Sequence, residues 1–476
     1  MRHYCFAFEQ SDLPVTASPE HAALGIERWR KAAERSEDAG IEAFADSVIG
    51  NPAGRRLLEA IFGNSPFLTH AAVSDPGFTH KLLIEGPDSL YTKVIEGLRH
   101  CRKDGIDIAE LARSLRIAKR RISLLVAVAD ITGVWPLERI THALSDFAEA
   151  TLGCAVAYVL KDAASKGVFN LVHPEQPEKD SGLVVIGMGK LGARELNYSS
   201  DIDLIVLYDH EKIPTDSPEV LQSHMVRLTR DLVRLIDERT ADGYVFRADL
   251  RLRPDPSATP LAMPLLAAET YYESLGQNWE RAAMIKARPV AGDGVAGEAF
   301  LDRLKPFIWR KNLDFAAIQD IHSIKRQINA HRGGSHIALA GHNIKLGRGG
   351  IREIEFFVQT QQLIWGGREP KLRSPVTVEA LLALTEGGQI AVETGTGLIE
   401  AYGFLRRVEH RLQMINDEQT QILPQDEQGL TNLAVFLGYD GKDAFASELL
   451  AHLRRVEARY AELFETAPPL GAPEEA

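Results

Sequence analysis

Cysteine is scarce: Cys5, Cys101 and Cys154 are the three among 476 residues, scattered and without ligand spacing. Neither a disulfide framework nor a thiolate zinc site follows from such a set. Basic residues are outnumbered, 54 Lys and Arg against 66 Asp and Glu, for a net charge of −12. Non-specific nucleic-acid binding draws on many cationic contacts to phosphate, so no nucleic-acid partner is expected. No stretch reads as approaching bilayer-spanning length, and the amino terminus lacks a basic-then-apolar signal. No membrane partner and a cytoplasmic location are therefore expected. What the chain does have is 45% hydrophobic content, enough for two or three domains with sizeable cores.

The most informative stretch runs over residues 183–209. Residues 183–186 and 204–208 are short, rich in β-branched side chains and bounded by turn residues, which predicts two buried strands. Asp201 and Asp203 stand at the start of the second. On a strand, positions i and i+2 share a face, so the two carboxylates converge while Ile202 points away. Like charges that close repel unless a cation sits between them. Hard oxygen ligands with few dedicated protein groups suit Mg²⁺, and carboxylates alone do not separate Mg²⁺ from Mn²⁺.

Between the strands, Gly187, Gly189 and Gly192 spell Gly-x-Gly-x-x-Gly. This matches a dinucleotide fingerprint only if a parallel βαβ unit follows with an acidic residue ending its second strand. Here the acidic pair opens the next strand. The other reading is a phosphate cradle, in which glycines let backbone N–H groups approach and Lys190 and Ser200 add donors. A third carboxylate, Asp249, lies in an alternating stretch over residues 243–254, flanked by Arg247, Arg251 and Arg253. One reading is a surface strand carrying ion pairs of little energetic weight. The other is a third metal ligand lined up with phosphate-binding guanidiniums.

The segments Gly-Met-Gly-Lys-Leu-Gly (187–192), Glu-Leu-Asn-Tyr-Ser-Ser-Asp-Ile-Asp-Leu (195–204) and Asp-Leu-Arg-Leu-Arg-Pro (249–254) belong together with three others. Those are Asn-Trp-Glu-Arg (278–281), Lys-Ala-Arg (286–288) and Asn-Ile-Lys-Leu-Gly-Arg-Gly-Gly-Ile-Arg-Glu-Ile-Glu-Phe (343–356). With them the chain resembles polymerase-β-type nucleotidyltransferases and, more specifically, the bacterial glutamine synthetase adenylyltransferase/adenylyl-removing family. The resemblance runs over residues 60–465, nearly the whole chain. Family members are usually much longer, with two similar halves of opposite activity; one Asp-x-Asp block here resembles a single half. The 345–353 version, with Arg348 and Arg352, resembles the amino-terminal, adenylyl-removing half.

This resemblance implies an α+β, predominantly helical fold with a polymerase-β-like core, a small mixed sheet with helices. That core would span residues 151–310, between a helical amino-terminal region (1–150) and a carboxy-terminal helical bundle (311–466). Residues 467–476 would be a disordered tail or linker. It further implies that Asp201, Asp203 and Asp249 hold the metal and carry catalysis. Gly187, Gly189, Lys190, Ser200, Arg251, Arg253, Lys345, Arg348, Gly349, Gly350 and Arg352 would bind nucleotide or phosphate. The implied activity is phosphorolysis: phosphate attacks the AMP carried on a glutamine synthetase tyrosine, releasing ADP. The implied partners are adenylylated glutamine synthetase, the PII signalling protein, phosphate and ADP or ATP, and the cofactor is Mg²⁺ or Mn²⁺. ATP-dependent adenylylation by the same fold is the alternative, and a non-catalytic docking module for PII or glutamine synthetase is a second.

Elsewhere the spacing of apolar residues predicts helices, with turns at residues 64–66 and 85–87. A helix is expected over 221–240, and others over 315–330, 351–365, 376–383, 398–414 and 444–464. Residues 90–147 contain no catalytic constellation and read as scaffold. Tyr271, Tyr272 and Trp279 read as core aromatics, while Lys286 and Arg288 are expected to reach phosphates. His322, His331, His336, His342 and His410 share no metal-ligand spacing and read mostly as surface or capping residues. The Arg406–Arg407 and Arg454–Arg455 pairs read as solvated helix faces.

Overall fold

The computed structural model describes residues 13–100, 105–215, 217–311 and 336–464. The expected helix over 315–330, the tail after 466, His322, His331, Cys5 and Cys101 lie outside the described residues. The chain divides into two compact units. The first holds the described residues up to Gly276, with Lys286–Phe307 and Gln413–Gln419. The second holds Gln277–Ile285 and the described residues of Ile308–Leu412 and Thr420–Ala476.

The first unit begins with helices whose starts are written in the sequence. Ser18, Asn51 and Ser65 accept hydrogen bonds from first-turn N–H groups, each followed by Pro at the first helical position. The turn expected at 64–66 is the last of these boundaries, and that at 85–87 separates the helices Pro76–Glu85 and Pro87–His100. Two long helices follow, Ile108–Ile131 and Leu137–Ser165. The second is apolar enough by length and composition to cross a membrane, which corrects the sequence expectation. Its apolar window is 78% buried inside the fold, as a core helix should be.

The sheet forms where the pattern placed it. Strands β1 (Leu183–Gly187) and β2 (Asp201–Tyr208) are almost wholly buried. Each buried Val, Ile or Leu contributes about 1.5–3 kcal/mol. They pair antiparallel, Leu183 opposite Tyr208. β3 (Arg247–Asp249) and β4 (Ala262–Pro264) both pair parallel to β2, and β5 (Arg288–Gly292) pairs antiparallel to β1. The helix expected over 221–240 is Leu221–Asp237. It packs on Leu137–Ser165, which in turn packs against β5. The expected α+β character, mostly helical with a small mixed sheet, is what the structure has.

Two basic residues expected to reach phosphate instead hold this core together. Lys286 Nζ donates to Glu195 Oε2 at 2.7 Å, both side chains at most 7% exposed. Arg288 grips the Glu149 carboxylate at 2.9 and 2.6 Å and donates to the Gly192 carbonyl. The Lys286 and Glu195 charges, this far from water, persist only as a pair, while the Arg288–Glu149 pair is half-buried.

The second unit is helical, with Ile351–Trp365, Thr377–Glu386, Glu427–Phe436, Lys442–Phe464 and the body of Val392–Asn416 around one apolar core. The sequence reading found the longer ones and missed Glu427–Phe436, whose brevity and Gly429 masked its period. It also misjudged several polar residues. His342 and His410 are buried, and Arg406 is buried against Glu409 and Tyr402. Arg407, Arg454 and Arg455 are exposed as expected. Trp279 is 39% exposed, not core, whereas Tyr272 is buried.

A Cβ at Gly192 would stand 1.7 Å from the Lys286 carbonyl oxygen and 2.5 Å from that of Gly187. Backbone cannot yield as a side chain does, so Gly192→Ala is expected to cost about 1–3 kcal/mol. A fall in the urea midpoint checks this, and an unchanged midpoint contradicts it.

Candidate active site

β2 places the acidic pair as its alternation dictates. Asp201 and Asp203 are partly exposed on one face, and Ile202 is buried on the other. Parallel pairing then sets Asp203 opposite Asp249 and Asp201 opposite Arg247. One ligand oxygen from each of Asp201, Asp203 and Asp249 lies within 4.8 Å of the others. Residues 46 apart in sequence are brought together by three residues of parallel ladder. The chemistry fits a hard divalent cation: three carboxylates, each able to give one oxygen, with mutual repulsion that a cation relieves.

The glycine turn lies against this pair. Met188 N–H donates to the Asp203 carbonyl at 2.9 Å. Gly189 has φ +53, and a Cβ there would come 3.2 Å from Asp203 Oδ2. A left-handed, close-approaching position of this kind favours glycine. Because β1 and β2 are antiparallel, no parallel βαβ unit exists here, and the dinucleotide reading loses its required context. Gly187 sits in β1 itself, where a Cβ would meet Val290 at 2.6 Å, so its smallness serves packing. Lys190 donates to Asn197 Oδ1 at 3.0 Å, and Ser200 is buried in the turn leading into Asp201.

The arginines divide differently from expectation. β3 ends at Asp249, so alternation stops and the three guanidiniums do not line up. Arg251 is 84% exposed; its Nε donates to both Asp249 oxygens at 3.0 and 2.8 Å, its Nη2 donates to Oδ2, and its backbone N–H adds a fourth bond. These bonds hold the Asp249 carboxyl below the usual carboxylate range, against the opposing effect of burial. Arg253 turns to the carbonyls of Leu250, Pro256 and Thr259, so it braces the loop in place of reaching for phosphate. Arg247 donates to the Ser199 hydroxyl and carbonyl and to the Tyr244 hydroxyl.

Sequence reasoning missed a further segment, residues 413–419, which belongs to the first unit. Gln413 Oε1 accepts from Ser199 N–H at 2.8 Å. Asp417 Oδ2 accepts from Tyr244 O–H at 2.8 Å, and Gln419 Nε2 donates to Asp201 Oδ1 at 2.6 Å. More than 200 residues separate Gln419 from Asp201, and no local pattern signals the pairing.

Lys345, Arg348, Gly349, Gly350 and Arg352 lie in the second unit. Gly349 has φ +72, and a Cβ there would stand 2.1 Å from the Leu453 carbonyl oxygen. Its N–H donates to Glu353 Oε2 at 2.9 Å and that of Gly350 to the Gly347 carbonyl at 3.1 Å. Both amides are thus engaged inside the loop, which leaves side chains as its means of meeting an anion. Arg348 donates to Glu457 at 2.8 Å, Lys345 is half-buried and Arg352 is exposed.

Comparison with known proteins gives a consistent result. The family model described as glutamate-ammonia ligase adenylyltransferase matches residues 55–303, and that described as GlnD PII-uridylyltransferase matches residues 321–464. The chain is 50% identical over 467 residues to a bifunctional glutamine synthetase adenylyltransferase/adenylyl-removing enzyme of Brucella melitensis biotype 1, covering 98% of this chain and 47% of that protein. Proteins of the same name from Agrobacterium fabrum and Rhizobium meliloti are 51% and 52% identical. They cover 89% and 95% of the chain, and 43% and 46% of their own lengths. The chain spans about half the length of the curated relatives it matches.

Burial, with the Asp417 carboxylate adding to it, pushes the Tyr244 hydroxyl up to about 12. A raised folded-state value means that Tyr244 contributes fully below its unfolded value of about 10. That contribution is lost as pH rises through about 12. An ultraviolet difference titration of the protein against Tyr244→Phe should therefore place its ionisation near pH 12. Ionisation near the ordinary tyrosine value would contradict this packing.

Proposed function

The chain belongs to the glutamate-ammonia ligase adenylyltransferase family, and we propose that it removes AMP from adenylylated glutamine synthetase by phosphorolysis at the Asp201–Asp203–Asp249 trio. The observation that carries this reading is the convergence of the three carboxylates within 4.8 Å beside the glycine turn. Asp201, Asp203 and Asp249 would hold Mg²⁺ or Mn²⁺. Such an ion polarises a phosphoryl oxygen and neutralises charge developing there.

The remaining work falls to the chain's own groups. An oxygen of inorganic phosphate attacks the phosphorus of the AMP–tyrosine ester, forming the new P–O bond of ADP. The bond to the tyrosine oxygen breaks, and the proton of hydrogen phosphate passes to that oxygen. Phosphate carries ionised oxygens at neutral pH, so no dedicated protein base is required. Arg251, exposed and on a long side chain, can leave Asp249 for a phosphoryl oxygen once the trio's charge is met otherwise. The glycine turn keeps the backbone against Asp203 without a Cβ to obstruct an incoming phosphate. Lys345, Arg348 and Arg352 supply the cationic side chains of the Gly-rich loop that resembles the adenylyl-removing half, which favours removal over attachment. A cytoplasmic setting with PII as regulator completes the reading.

The direct assay incubates the chain with adenylylated glutamine synthetase, Mg²⁺ and phosphate. ADP release with loss of the modification is expected. ATP consumption with labelling of unmodified glutamine synthetase would instead assign adenylylation to this chain. Asp201→Asn combined with Asp203→Asn is expected to lower turnover by more than about 100-fold, beyond what loss of an outer partner costs. Near wild-type turnover in that variant would remove the trio from the chemistry.

A further inference from the structure

We propose that Gln419 is a positioning residue for Asp201, held in place by residues 413–419 and setting the affinity of the acidic trio for its divalent cation. This inference rests on the metal reading of the trio.

The segment is fixed on the first unit by independent bonds. Ser65 Oγ donates to the Met414 carbonyl at 2.6 Å. Gln413 Oε1 receives the Ser199 N–H at 2.8 Å, within the turn that leads into Asp201. Asp417 accepts from Tyr244 O–H, and Tyr244 accepts from Arg247, the residue opposite Asp201 in the β2–β3 ladder. Asp417 adopts φ +54, in the left-handed region that Asp enters more readily than most residues. Two residues later, Gln419 Nε2 meets Asp201 Oδ1 at 2.6 Å.

The donor's chemistry matters as much as its place. A metal-ligating carboxylate that accepts a hydrogen bond on one oxygen has its orientation fixed and its other oxygen left for the ion. Asp249 takes its bonds from Arg251, whose positive charge competes with a cation for the same oxygens. Gln419 gives Asp201 a hydrogen bond with no charge, so orientation is gained without that competition. The chain enters and leaves residues 413–419 from residues of the second unit, and the segment meets Asp201 through the Gln419 hydrogen bond.

The test is calorimetric titration of the whole chain with Mn²⁺ alone, without substrate. Gln419 is exposed, so Gln419→Leu is expected to keep the metal-free thermal midpoint while weakening Mn²⁺ binding about 10-fold, the lower end for loss of an outer partner. Gln419→Lys retains an N–H donor but adds a charge, and is expected to weaken binding further. Asp201→Asn serves as reference. Binding lost in Asp201→Asn and unchanged in Gln419→Leu overturns the role of Gln419 alone. Binding unchanged in both overturns the metal reading beneath it.

Discussion

Three carboxylates crowded at one strand end are the constraint around which this molecule is arranged. Like charges within 4.8 Å repel, and a fold that brings them together must offset that repulsion. Asp249 is gripped by Arg251, and Asp201 accepts a hydrogen bond from Gln419. The parallel β2–β3 pairing makes the convergence obligatory, because moving β3 by one residue would turn Asp249 to the opposite face. Behind the trio, the buried strands and the inward-facing pairs Lys286–Glu195 and Arg288–Glu149 give the platform its rigidity.

Much of this was legible in the amino-acid order, and the reason is local. β1 and β2 announce themselves as apolar runs between turns, and Asp201-Ile-Asp203 carries its facing in its spacing. Asp249 stood out in the alternating 243–254 stretch with two readings open, and the resemblance favoured the metal ligand; its partner register no periodicity could supply, since β3 is only three residues long. The same shortness explains the misread arginines. Once the ladder stops at Asp249, Arg251 and Arg253 follow loop geometry and not strand alternation.

What was not legible depended on partners distant in sequence. Lys286 and Arg288 look like phosphate ligands in a basic cluster, and only the fold shows that Glu195 and Glu149 claim them. Arg406, His342 and His410 look solvated because polar residues usually are, yet each is buried. The apolar Leu137–Ser165 helix shows the converse, with membrane-like hydropathy placed inside a core. Gln419 belongs to the same class. Its contact with Asp201 spans 218 residues and rests on one amide.

The central claim, that these three side chains gather a divalent cation, is tested most directly by anomalous diffraction from crystals grown with Mn²⁺. The account predicts one strong peak with an oxygen of each of Asp201, Asp203 and Asp249 at a ligating distance of roughly 2.0–2.6 Å, and Arg251 turned away from Asp249. A Mn²⁺-saturated crystal with no peak at the trio, and Arg251 still clasping Asp249, would contradict it.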